Sequence, residues 1–61
     1  MNINGQEIPA TDIREIEHVP GADIAIVKRH STCLEYLFKA TRAQYDALAA
    51  RLVIARMMED T

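Results

Sequence analysis

A single cysteine, Cys33, in a chain of 61 residues is the feature that most limits how this sequence can fold. A domain of this size buries only about 60% of its unfolded surface and is marginally stable by itself. Small domains usually gain stability from disulfides, from a bound metal or from association with another chain. One cysteine excludes a disulfide within the chain, so the sequence predicts one small domain, residues 1–61, that gains stability by association.

The composition is that of an ordinary globular domain. Hydrophobic residues make up 49% of the chain and charged residues 26%, which argues against disorder. The first residues lack the basic and apolar regions of a secretory signal. No apolar run reaches the ~18 residues that a transmembrane helix needs. Together with a free thiol, these features predict a cytoplasmic protein with no membrane partner.

Turn-forming residues divide the first half of the chain into short strands. Asn4-Gly5 predicts a two-residue hairpin, because a type I′ turn needs positive φ at both central positions. The segment that follows has two interpretations. Thr11 or Asp12 could cap a helical turn, or the chain could turn tightly at Asp12-Ile13 and continue as a strand over residues 15–19. The second is favoured because Pro20-Gly21 soon ends the run.

Two short segments rich in β-branched and aromatic residues, 24–30 and 33–40, predict a pair of antiparallel strands. A three-residue loop, residues 30–32, would place one large apolar face toward the core, made of Ile24, Ile26, Leu34, Tyr36 and Phe38. The opposite face would then carry Ala25, Val27, Cys33 and Leu37, with Arg29 and Glu35 among them. A loop of two residues would turn one strand over and mix the two faces, so the three-residue loop is favoured.

The C-terminal third predicts one helix without a Gly or Pro interruption. Thr41 and Gln44 have the spacing of a capping box at its start. At about 100° per residue, one stripe of this helix faces the sheet: Tyr45, Leu48, Ala49, Leu52, Val53 and Ala55. The predicted fold is therefore α+β: a small antiparallel meander of three or four strands that includes an N-terminal hairpin, with one C-terminal helix packed on one face.

A second apolar stripe lies on the opposite side of this helix. Its residues recur at intervals of four and three, as in a helix–helix seam: Ala43, Ala47, Ala50, Ile54 and Met57, with Met58 beside them. One alternative is that the alanines are only good helix formers on a solvated face. Large apolar residues in a contiguous exposed patch usually mark an interface, however. The stripe predicts binding to a second copy of the chain or to a larger protein, and the sheet face with Val27, Cys33 and Leu37 is the competing surface.

Charge is unevenly distributed along the chain. Acidic residues dominate positions 1–23 and basic residues dominate positions 24–42, although the net charge is −2. The two segments could pair with each other when the sheet forms, or they could mark a binding surface. The candidate anion contacts are Lys28, Arg29, Lys39 and Arg42. A nucleic-acid-binding or transcription-regulatory domain is therefore the alternative function, although such domains are usually strongly basic.

No residue pattern in the chain predicts catalysis or a cofactor. His30 and Cys33 could form a reactive thiol pair, but no third group would orient them. His18, His30 and Cys33 are too scattered for a structural zinc site. The carboxylates of Glu15 and Glu17 suit a solvated strand face better than general acid–base chemistry. The predicted function is a non-enzymatic protein-interaction module, homodimeric, which serves as an adaptor, an accessory subunit or a small inhibitor.

Overall fold

The computed structural model describes residues 1–59 and shows antiparallel strands followed by one C-terminal helix. The strands are β1 (Asn2–Ile3), β2 (Gln6–Glu7), β3 (Ile13–Val19), β4 (Ile24–Arg29) and β5 (Glu35–Lys39). A 3-10 turn, Ala10–Asp12, precedes β3, and helix α1 spans Arg42–Glu59. Strands β1 and β2 form a separate hairpin, whereas β3, β4 and β5 form one sheet in that order. The predicted α+β meander with one helix is confirmed.

The N-terminal hairpin turns where its sequence predicts. Asn4 has φ of 50° and Gly5 has φ of 86°, the positive values that a type I′ turn requires. The Gly5 N–H donates to Asn2 Oδ1 at 3.2 Å. Asn4 also donates from Nδ2 to the Tyr36 hydroxyl oxygen at 2.9 Å, which ties the hairpin to β5.

The turn before β3 is a 3-10 turn at Ala10–Asp12, slightly earlier than the tight turn favoured at Asp12-Ile13, and β3 begins at Ile13, two residues before the predicted strand. Strand β3 carries a bulge between Ile13 and Glu15, where its register with β4 shifts. At the next turn, Ala22 N–H donates to the Val19 carbonyl at 3.2 Å. The residue with positive φ in that turn is Asp23, at 51°, and not the glycine.

The predicted register between β4 and β5 is wrong by one residue. Ala25 lies opposite Phe38 and Val27 lies opposite Tyr36. These four residues share the face that packs toward the helix, where Ala25 and Val27 are fully buried. The predicted core residue Leu34 is instead 76% exposed. The prediction also put Ile24 and Ile26 on the core face. These residues alternate with Ala25 and Val27 along β4, so they belong to the outer face.

The cause is the length of the connection between the two strands. Residues 29–34 lie between the paired residues Lys28 and Glu35, an even number where the prediction required an odd one. Asp12 shapes this connection from the preceding turn. Its carboxylate accepts from the Ser31 N–H at 2.9 Å and from the Ser31 hydroxyl at 2.6 Å. An added residue in the loop turns over every side chain of β5 relative to β4.

The core lies between the inner sheet face, the hairpin and the helix. Its buried members come from both ends of the chain: Ile3, Ile8, Ala10, Ile13, Val27, Leu48 and Leu52. Tyr36 and Phe38 pack against this cluster and are half-buried. The predicted helix stripe is correct for Leu48 and Leu52, but Val53 is 56% exposed and does not belong to it.

Candidate partner interface

The second apolar stripe of α1 lies on the solvent side of the helix. We call this set the helix seam: Ala43, Ala47, Ala50, Ile54 and Met57, with Met58 at its margin. All six residues are exposed. The exposed fractions of Ile54, Met57 and Met58 are 57%, 65% and 72%.

The arrangement of polar residues around α1 separates this seam from an ordinary solvated helix face. At about 100° per residue, its first five members span an arc of about 80° on the side away from Leu48 and Leu52. No charged or other polar residue of the described helix falls inside that arc. Charged residues normally occupy the solvent side of a surface helix. The seam is instead an apolar strip on that side.

The arginines of α1 lie beside the seam or reach back to the N-terminal segment. Arg42 Nε lies 3.0 Å from Asp46 Oδ1, one turn along the helix. Arg51 donates to the Asn2 carbonyl at 3.1 Å, and Arg56 donates to the Ile13 carbonyl at 2.7 Å. Two of the helix arginines therefore fasten α1 to the N-terminal segment.

The start of α1 is fixed by the predicted capping box. The Thr41 N–H donates to Gln44 Oε1 at 2.8 Å, and the Gln44 N–H donates to Thr41 Oγ1 at 3.2 Å. This reciprocal pair satisfies two backbone donors and sets where the helix begins. The rotation of the seam relative to the sheet is set in turn by the burial of Leu48 and Leu52.

The competing surface predicted on the sheet is wrong in one residue. Val27 is fully buried in the core and is not available to a partner. Leu37 is 54% exposed, and Cys33 is exposed in the loop that precedes β5. The register builds the apolar part of the outer sheet face from Leu37 and three further residues, flanked by charge at both ends of the strands: Val19, Ile24 and Ile26.

The acidic and basic segments pair with each other in the sheet. Lys28 Nζ lies 3.2 Å from Glu15 and 3.0 Å from Glu17. These hydrogen bonds, with Glu17 contributing most, raise the pKa of Lys28 above its ordinary value. Arg29 Nε lies 2.7 Å from Asp12 Oδ2. Among the predicted anion contacts, Lys28, Arg29 and Arg42 thus face carboxylates, and Lys39 is exposed without a charged partner in residues 1–59.

Asp12 holds the loop between β4 and β5 in place. Hydrogen bonds from Ser31 and Arg29 keep the pKa of the Asp12 carboxyl below its ordinary value. The Asp12 carbonyl also accepts from the His30 N–H at 2.8 Å. Asp12 and Ser31 are 19 residues apart and flank two different strands. No local sequence pattern therefore predicts their contact.

The residues considered and rejected for a thiol pair or a metal site do not converge in the described chain. His30 and Cys33 line an open cavity of about 350 Å³ beside the loop, with Arg14, Lys28 and Leu34. No hydrogen bond joins His30 and Cys33 there. Within residues 1–59, no three His, Cys, Asp or Glu side chains come together as a metal site would require.

His18, on β3, packs against helix α1. It is half-buried and its ring stacks on Tyr45, with the ring centroids 5.2 Å apart. Its Nε2 lies 2.9 Å from the Ala40 carbonyl oxygen, which only accepts, so Nε2 donates. Its Nδ1 is buried without a partner among the described residues. The alternation of His18 with Ile16 along β3 is the signal that would have placed it on the inner face.

Comparisons with known proteins do not extend this description. No protein-family model, curated protein or solved structure matches the chain. In the part of the chain that the structure describes, no helix is long and apolar enough to cross a membrane.

Proposed function

We propose that this protein is a non-enzymatic protein-interaction module that works as a homodimer and binds a helix of a larger protein through the helix seam. In this function it serves as an adaptor, an accessory subunit or a small inhibitor of that protein. The observation that carries the proposal is the apolar strip on the solvent side of α1, where Ile54 and Met57 are 57% and 65% exposed.

The shape of the seam suits an apolar helix as its occupant. Three alanines at one end allow the backbone of a second helix to approach closely, and Ile54 and Met57 fill the space at the other end. Burial of each of these two large side chains would contribute about 1.5–3 kcal/mol before the cost of association. An interface also supplies the stabilisation that a chain with one cysteine does not obtain from a disulfide.

The proposal places the protein in the cytoplasm. Its cysteine is exposed and unpaired, and a reducing compartment would keep such a thiol free. The pairing of Lys28 and Arg29 with carboxylates supports a protein partner over a nucleic acid, because paired cations have less charge to offer to phosphates.

Site-specific photo-crosslinking in cells of the source organism tests this function. A photoreactive residue at Ala47 or Ala50 lies in the seam, and one at Ala22 lies in an exposed turn far along the chain. We expect the seam positions to give one discrete adduct with a larger protein and the Ala22 position to give none. Adding Ile54→Glu to the Ala47 probe should remove the adduct, because a charge would be buried in the interface.

Two results would contradict the proposed function. The first is the absence of any adduct from both seam positions while the protein is folded and abundant. The second is the same set of adducts from the Ala22 probe and the seam probes, with no effect of Ile54→Glu. A seam adduct between two copies of this chain would show that the seam is the homodimer surface.

A further inference from the structure

The two edges of the three-stranded sheet differ in how far their outward backbone groups are satisfied. Side chains of α1 block the edge at β3 in part. The Ile16 carbonyl accepts from the Tyr45 hydroxyl at 3.1 Å, and the Ile13 carbonyl accepts from Arg56 at 2.7 Å. The bulge between Ile13 and Glu15 also interrupts this edge. Side chains on an edge and bulges are the devices that block pairing with another strand.

The edge at β5 is open. Ala40 N–H donates to the Asp23 carbonyl of the neighbouring strand at 2.8 Å. Backbone groups alternate in direction along an antiparallel strand, so Phe38 and Tyr36 also point toward β4. The N–H and C=O groups of Glu35, Leu37 and Lys39 then point outward, and no hydrogen bond within residues 1–59 reaches them.

We propose that β5 pairs antiparallel with β5 of a second copy, in a register centred on Leu37, to form a continuous six-stranded sheet. This inference rests on the proposed function, which calls for a homodimer, and it assigns that dimer to a surface separate from the helix seam. The surface that β5 binds is therefore the same strand, Glu35–Lys39, of the second copy.

The register follows from the outward backbone groups. With Leu37 opposite Leu37 of the second copy, Glu35 lies opposite Lys39 and Lys39 lies opposite Glu35. These are the residues whose backbone groups point outward, so the three pairs that they form are hydrogen-bonded, and the two pairs between them are not. A shift of the register by one residue would place inward-pointing groups against outward-pointing ones and break the ladder.

The side chains match in the same register. Glu35 and Lys39 of the two copies form two pairs of opposite charge, and Lys39 has no charged partner within residues 1–59 of its own chain. On the inner face, Tyr36 lies opposite Phe38 of the second copy and extends the aromatic contact already present, whose centroids are 5.3 Å apart. Opposite charges and aromatic pairs across strands each stabilise a sheet.

The surroundings of β5 leave room for the second copy. Helix α1 packs mainly against the 3-10 turn and β3. An open groove runs along the inner side of this edge, lined by Ile3, Phe38, Gln44 and Arg51. Tyr36 of the second copy, opposite Phe38, would point into that groove. Both helices then lie on the same face of the joined sheet, with the helix seams facing away from it.

A charge-exchange experiment tests the register. In sedimentation equilibrium at neutral pH, wild type should dimerise. Glu35→Lys and Lys39→Glu should each raise the dimer dissociation constant about tenfold or more, because each places like charges opposite each other twice. An equimolar mixture of the two variants should form a heterodimer close to wild type in affinity, since both of its pairs are again opposite in charge. The double variant Glu35→Lys with Lys39→Glu should also dimerise.

Cross-linking gives an independent measurement. Leu37→Cys in a Cys33→Ser background should form a disulfide-linked dimer on mild oxidation, since directly opposed Cα atoms about 5.5 Å apart are within disulfide range. Leu34→Cys in the same background is the control, because residues at position 34 of the two copies lie far apart in this register. Both positions are exposed, so both variants should fold.

The proposal is overturned if wild type is monomeric at high micromolar concentration, or if the mixture of single variants dimerises no better than each alone. A dimer dissociation constant that is unchanged in all three charge variants, with loss of the dimer in Ala50→Glu, would place the homodimer at the helix seam. That result refutes the β5 pairing, and the seam adducts with a larger protein test the proposed function separately. Loss of those adducts while the β5 dimer forms normally would refute the proposed function and leave the β5 pairing standing.

Discussion

The register between β4 and β5 makes a prediction about two adjacent residues. Val27 is fully buried on the inner face, whereas its neighbour Ile26 lies half-buried on the outer face. Truncation to alanine removes two methyl groups from Val27 and a larger group from Ile26. We expect the smaller truncation to be the more destabilising of the two.

The magnitude follows from burial. Each buried methyl group removed typically costs about 0.5–1.5 kcal/mol, so Val27→Ala should lower the free energy of unfolding by about 1–3 kcal/mol. A domain of this length has a total stability of roughly 3–9 kcal/mol. A loss of about 2 kcal/mol would lower Tm by roughly 8–16 °C. Ile26→Ala should cost about 1 kcal/mol or less, because its side chain keeps much of its contact with water when folded.

Thermal and urea unfolding followed by circular dichroism would measure both variants. All samples need one protein concentration, because association raises Tm. If Ile26→Ala proves more destabilising than Val27→Ala, Ile26 faces the core. The strand register and the argument for the β5 edge would then both be wrong.

Three further predictions concern the turns and the helix start. Because the folded pKa of Asp12 lies below the ordinary value of about 3.9, its interactions stabilise the fold above that pH and are lost as pH falls through the folded pKa. Urea titrations at a series of pH values should therefore show a shallower loss of stability below about pH 4 in Asp12→Asn than in wild type; equal slopes would show that Asp12 does not act this way. Thr41→Ala should cost about 1 kcal/mol in the same assay, since it removes the capping hydrogen bond to Gln44, and an unchanged midpoint would argue against the capping box. Gly5→Ala should cost about 1–2 kcal/mol, because φ at that position is 86°, whereas Gly21→Ala, where φ is not positive, is the matched control and should change stability little.

Features that depend on neighbouring residues were predictable from the sequence. The type I′ turn at Asn4-Gly5 and the capping box at Thr41 and Gln44 are encoded within four residues each, and both are present. The rotation of α1 was predictable for the same reason, because a periodicity of 3.6 residues fixes which side faces the core. The exposure of the helix seam follows from that periodicity.

Features that depend on distant residues were not predictable. The register of β5 is set by a loop whose shape depends on Asp12, and Asp12 lies 19 residues before Ser31. Ile3 and Ile8 flank a short hairpin turn in the sequence, yet each is 1% exposed because both pack with Leu48 and Leu52 of α1. The open edge at β5 depends on the strand pairing, because the pairing determines which backbone groups point outward.

Helix α1 follows all the strands along the chain, and this order has a consequence for biosynthesis. The core joins Ile3, Ile8 and Ile13 to Leu48 and Leu52, and Arg51 donates to a carbonyl 49 residues earlier. Chains emerge from the ribosome N-terminal end first. The three isoleucines therefore remain exposed to water until segment 42–59 has been synthesised and has left the ribosome. The hairpin and sheet can pair their strands earlier, but the domain can complete its core only after translation of the helix.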